Sequence, residues 1–121
     1  MSASDYLEGK LKDHVLRGLT YTPPTTLYLA LYTTAPTDAG GGTEVSGGGY
    51  ARQAVTVSGT YANSNIVQFP NTSWSGTVVA IALFDASSGG NFLLWSTTTS
   101  TTVAAGEKPV FNVGTLTFTA D

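Results

Sequence analysis

Residues 25–34 read Thr-Thr-Leu-Tyr-Leu-Ala-Leu-Tyr-Thr-Thr, with Leu27, Leu29 and Leu31 alternating with Tyr28, Ala30 and Tyr32. A two-residue period places the leucines on one face of an extended strand and the tyrosines on the other, and no amphipathic helix can use it. Shorter stretches of the same character follow at 50–57, 66–69, 77–85, 92–98, 110–113 and 115–119. The run "ASSGGN" at 86–91 has the composition of a hairpin connection. Pro36, Pro70 and Pro109 stand at strand margins, where a missing N–H does least harm. About seven short strands separated by regular turn signals predict a mainly β fold, an antiparallel β-sandwich or a jelly-roll-like barrel.

Before the strands, "DYLEGKLKDHVLR" predicts one N-terminal α-helix over residues 5–17. Asp5 and Glu8 have the spacing of a capping box, Gly18 supplies a stop, and Leu7, Leu11, His14 and Val15 fall on one face. Gly9 weakens the helix interior, so its small size serves close packing. A helix this short is marginal alone, and its apolar stripe must dock on the chain's own sheet or on a neighbouring subunit. The expected organisation is a single domain over 1–121, with the helix in 1–18, a β-domain over 25–121 and a glycine-rich arm at about 35–49.

Composition removes several functions. There is no cysteine and a single histidine, so disulfides, thiolate catalysis and cysteine-bound zinc are excluded, and no metal or cofactor site is legible. Charged residues make up 11% of the chain with a net charge of -3, and only Arg52 and Lys108 are basic beyond Gly18, which argues against nucleic acid as a partner. The longest apolar run, residues 78–84, is too short to span a membrane, and no basic, hydrophobic leader follows Met1. Synthesis in the cytoplasm without a signal peptide is expected. A hydroxyl-rich surface with few charges defends sheet edges poorly, so partners are expected to cover some edges, most simply other copies in a dimer or trimer.

The stretch "GGGTEVSGGGYARQ" at 40–53 sets six glycines around Thr43, Glu44, Val45 and Ser46. It lacks the lysine and following helix of a phosphate-binding loop. Two readings remain open: an idle surface loop, or an arm ordered against a neighbour, with Glu44, Val45 and Tyr50 as contact residues and Val45 as a plug for a pocket. On the arm reading, deleting 40–49 leaves a folded body. Leu7, Leu11 and Val15 are the corresponding contact candidates on the helix.

Catalysis finds little support. The candidate hydrolytic carboxylates, Asp38, Glu44, Asp85 and Glu107, sit at turn or strand-end positions, and His14 lies on the apolar stripe. No catalytic residue is assigned. Among the aromatics, Trp95 reads as core and Trp74 as the weak candidate for stacking on a sugar ring. A formal glycosylation sequon begins at Asn71 and carries no meaning without secretion.

The segments "YLEGKLKDHVLRG", "YTPPTTLYLALYTTAPTD" and "GTEVSGGGYARQAV", in that order and spacing, resemble the small tailed-bacteriophage virion proteins often labelled tail-fibre-like. The resemblance is close over residues 6–55 and rests mainly on strand pattern beyond them. It implies a non-enzymatic structural protein on the virion surface, with phage capsid or tail proteins as partners, and supplies no catalytic or ligand residues. No repeat, heptad seam or shaft is present, so the physical reading favours a capsid decoration or cement subunit. A tail, collar or fibre-base accessory and a host-glycan-binding β-module are the alternatives.

Overall fold

The structure is a computed structural model that describes residues 1–70 and 73–120; the sequon residue Asn71 lies outside them. Its elements are β1 (Ser2–Ala3), α1 (Asp5–Arg17), β2 (Leu27–Thr34), β3 (Thr43–Glu44), β4 (Gln53–Val55), β5 (Val67–Gln68), β6 (Gly76–Phe84), β7 (Phe92–Val103) and β8 (Val110–Phe111). The main sheet is antiparallel in the order β1-β7-β6-β2-β3, and β4 joins the same edge of β2 as β3. Strands β5 and β8 form a separate antiparallel ribbon. The fold is mainly β with one helix near the N-terminus, as the alternation predicts, and the sheet does not close into a barrel.

The alternation of β2 decides the layers. Leu29 and Leu31 pair with Leu83 and Ile81 of β6, and their face is buried with Val45, Val55, Val67, Phe69, Val78, Val103, Leu116 and Phe118. The ribbon covers this face through Val67 and Phe111, and Phe69 packs edge-on against Phe111 at a centroid separation of 6.4 Å. Truncating one of these leucines to alanine should cost about 2–5 kcal/mol through lost transfer energy and a residual cavity.

The opposite face is built from Ala30, Ala80 and Ala82, all at 0% exposure, framed by Tyr32 and Phe84. Small residues here admit the chain that follows β2. Ala35 packs on this cluster and Pro36 is buried. Asp38 then accepts hydrogen bonds from Trp95 Nε1 of β7 at 2.8 Å and from Ser2 Oγ of β1 at 2.7 Å, while its carbonyl accepts from the Asp5 N–H at 2.8 Å. The segment therefore reaches from β2 to the β7 side of the sheet, about 10 Å or two strand spacings. A register shift between Val78 and Ala80 re-aims β6, so that Val78 serves the leucine face and Ala80 the alanine face.

Several elements depart from the sequence reading. The helix cap is Ser4 rather than Asp5: Ser4 Oγ accepts from the Leu7 N–H at 3.2 Å and donates to the Phe92 carbonyl at 2.6 Å, which ties the helix start to β7. Segment 50–57 is a strand only at Gln53–Val55, because Tyr50 and Arg52 turn to other partners. Segment 115–119 contributes one bridge, Thr117 to Ala62, instead of a strand. That end is held by Asn63, 1% exposed, whose Nδ2 donates to the carbonyls of Asn65 and Asn112 and whose Oδ1 accepts from the Leu116 N–H.

Candidate functional site

Two regions gather the residues singled out from the sequence. The first is the glycine-framed loop. Arg52 donates to both oxygens of Glu44, Nε to Oε2 and Nη2 to Oε1, each at 2.8 Å. Its Nη1 donates to the carbonyls of Gly89 at 2.8 Å and Ala86 at 3.1 Å, and the guanidinium lies 3.6 Å from the centroid of the Phe84 ring. Tyr50 donates from its hydroxyl to Glu44 Oε2 at 2.9 Å, accepts from the Leu31 N–H at 3.0 Å, and stacks on Phe69 at 5.9 Å. One ion pair thus joins the loop, the start of β4 and the β6–β7 hairpin.

The electrostatics follow from this packing. Hydrogen bonding to Glu44 raises the Arg52 pKa above its ordinary value against the effect of burial. Burial pushes the Tyr50 phenol far above its usual range, so it stays protonated and donates. A cleft of about 450 Å³ lies beside the pair, lined by Glu44, Ser46, Tyr50, Arg52, Ser87 and Ser88. Four of the five guanidinium N–H groups are spent on partners within the chain, so the arrangement works as a brace.

The glycines have steric reasons. Gly42 has φ 70°, and a Cβ there would come within 2.6 Å of the Thr34 carbonyl oxygen. Gly48 has φ 61°, and its Cβ would meet the Trp74 backbone nitrogen at 2.6 Å. Between them Val45 is 4% exposed and belongs to the chain's own core. Glu44 is held in the brace and Tyr50 in the core wall, so delivering this loop to a neighbour requires pulling all three out of the body.

The second region is α1, which has no buried residue. Leu7 is half-buried against the body, whereas Leu11 is 46% and Val15 73% exposed, and Leu16 and Leu19 extend the ladder at 78% and 45%. His14 is exposed, with Nδ1 2.9 Å from the Leu19 carbonyl oxygen. The sequence stripe is real, but the chain's own sheet covers only its first turn. Leu16 and Leu19 escaped the sequence reading because they lie beyond the narrow stripe defined by Leu7, Leu11 and Val15.

The remaining candidates have local partners. Hydrogen bonds from Ser2 and Trp95 hold the Asp38 carboxyl below its ordinary value. Burial raises that of Asp85, but the Asn91 backbone and side-chain N–H groups outweigh it and leave the carboxyl lowered. Glu107 accepts from the Ala104 N–H. Trp74 is half-buried against the leucine-face core, with its ring over Gly76. Among the described residues no group of three or more histidines and carboxylates is gathered for a metal, and no helix is long and apolar enough to cross a membrane.

Comparison with known families agrees with the resemblance carried by residues 6–55. Residues 2–119 match the family described as Podophage GP4 fiber I protein gp80. No curated protein matches the chain.

Proposed function

The chain belongs to the podophage GP4 fiber I protein gp80 family and is a phage structural protein, and from that premise we propose that it is a non-enzymatic fibre-associated subunit of the virion that assembles through α1. The observation that carries this reading is the uncovered set of Leu11, Val15 and Leu16 on an element whose cap and first turn are anchored to the body, with Leu19 exposed just beyond its C-cap. Large apolar side chains left exposed close together on one element are a feature of interaction sites. The β-body acts as a rigid carrier, with the Arg52–Glu44 brace and the Asp38 contacts fixing its loops.

Capsid decoration remains a second reading on one specific observation: among the described residues every element is short for a fibre shaft. The helix has 13 residues, about 20 Å of length, and the longest strand has 12. A host-glycan module depends on Trp74, and the packing of that ring on Gly76 works against it.

Antibody-gold labelling of virions, with copy number measured on the same preparation, separates these readings. Label at the tail fibres in few copies is the expected result. Dense label over the head would replace it with decoration. Glycan-array binding that is lost in a folded Trp74→Ala variant would restore host recognition.

A further inference from the structure

We propose that the outer edge of β7 beyond Trp95, with the groove beneath it, takes up an extended segment of another protein as an added antiparallel strand, neutral in charge and apolar at alternate positions. This contact is separate from α1. Strand β7 runs to Val103, yet β1 covers its outer edge only through Ser2↔Trp95 and Ala3↔Leu94, beside the Ser4 N–H that donates to the Leu93 carbonyl at 2.8 Å. Among the described residues, the backbone of 96–103 bonds to no strand but β6. Two of its carbonyls are met by local hydroxyls instead. Ser96 Oγ donates to the Thr97 carbonyl at 3.0 Å, and the Thr98 and Thr101 hydroxyls donate to the Thr99 carbonyl at 3.2 and 3.1 Å. Such local bonds compete with a ladder and are what hydroxyl residues make in its place. The edge carries no charge and no proline, the usual guards against an incoming chain.

The groove supplies slots for side chains. Ala80 of β6 pairs with Thr97 and Val78 with Thr101, so Thr98, Thr99 and Ser100 stand opposite Val79 alone. This bulge bends β7. Two cavities of about 320 Å³ each open beside it, one among Leu31, Val78, Val103, Pro109 and Val110, the other among Met1, Ile81, Ser96, Thr97 and Leu116. Both are also lined by Thr98 and Phe111, which makes them neighbours along one groove. Residues 96–103 span roughly 25 Å of extended chain, the length of an ordinary strand.

The lining fixes the character of the occupant. No charged side chain borders either cavity, and Leu31, Val78, Ile81, Val103 and Leu116 are buried members of the leucine-face core. Val110, 46% exposed, continues that apolar surface onto the rim. A small apolar molecule would fill the cavities and leave the β7 edge unpaired. A second copy offering its own β7 would lay Ser96 and Thr101 over an apolar floor, and the bulge on each copy opposes edge-to-edge pairing. An extended segment answers both needs together: its backbone pairs with β7 while side chains about 7 Å apart enter the groove. Strand β1 already lies antiparallel on this edge, and the added strand continues its line.

The probes are fluorescent, end-blocked peptides in which threonine alternates with valine, leucine or phenylalanine. At least one should bind the full-length protein with Kd on the order of 100 μM. It should slow amide exchange at residues 97–103 at least tenfold and leave β4, at the opposite edge, unchanged. Val110→Asp, at an exposed position, should weaken binding at least tenfold with circular dichroism unchanged. Lysine in place of the apolar residues of the peptide should do the same. Peptides N-methylated at every second residue separate a strand from a plug, since only one of the two registers removes the N–H groups that face β7, and that one should lose binding. Val15→Glu should bind the peptides as wild type does, so this proposal and the assembly role of α1 fail independently. Absence of binding by all three peptides at about 500 μM overturns the proposal. So does protection at β4 or α1 in place of β7, or undiminished binding by Val110→Asp. If both methylated registers bind like the parent, the groove takes apolar groups without adding a strand, and the proposal is wrong.

Discussion

Arg52 holds three segments at one point, so its removal tests the brace directly. Its side chain is 9% exposed and that of Glu44 24%. Arg52→Ala leaves the Glu44 carboxylate half-buried and two carbonyls unpaired, and should cost about 2–4 kcal/mol in urea unfolding, somewhat below the range for a fully buried pair. Arg52→Lys should recover little, since one ammonium cannot reproduce the bidentate fork or the stacking on Phe84. Asn63→Ala strips three side-chain hydrogen bonds, two of them to Asn112 and Leu116, and a loss of about 2–4 kcal/mol is expected from the buried groups left unpaired. Neither residue announced its role in the sequence. Glu44 reads in the sequence as an arm contact and Arg52 as a lone charge in a charge-poor region, and their pairing depends on loop geometry that no periodicity records. Asn63 lies in a stretch that reads as an ordinary turn.

At the scale of elements, α1 and the 40–49 loop make opposite predictions. Val15→Glu and Leu16→Glu should leave the unfolding free energy within about 0.5 kcal/mol of wild type, because neither side chain is buried. Ser4→Ala should cost about 1–2 kcal/mol, since the hydroxyl both caps α1 and ties it to Phe92. Deleting 40–49, which the arm reading expected to leave a folded body, should instead unfold it or leave it loosely packed, as judged by near-ultraviolet dichroism, because Val45 and Glu44 leave with the loop. Helix α1, strands β2 and β6 and the first seven residues of β7 were legible because each is long enough to express a period, whereas the threonine-rich continuation of β7 to Val103 was not. Strands β1 and β3, two residues each, are set by the registers Ser2↔Trp95 and Tyr32↔Glu44, which are tertiary facts. The alanine face of β2 and β6 was equally silent. Alanine at a strand position fits a surface as well as a covered layer, and only the passage of residues 35–38 above it explains the choice.

At the scale of the whole molecule, Asp38 and Asp85 set the acid limit of stability. Each carboxyl is held below its ordinary value in the fold, so each stabilises in its charged form. That contribution is complete above an unfolded-state pKa of about 4 and is lost as pH falls through the lowered folded values. Thermal unfolding between pH 6 and pH 2 should show the loss, and Asp38→Asn should lower stability at pH 6 while flattening the acid-side decline. The pairing of β1 with β7 also governs how the protein is made. Ser2 cannot meet Trp95 until more than ninety further residues have left the ribosome. At about 5–20 residues per second that is a delay of several seconds. During it the N-terminal segment has no β7 to join, and the leucine face of β2 waits for β6 and, longer still, for its ribbon. Synthesis of many copies side by side therefore exposes half-built sheets to one another, and yield of folded protein should depend on translation rate and temperature more steeply than the stability of the finished fold suggests.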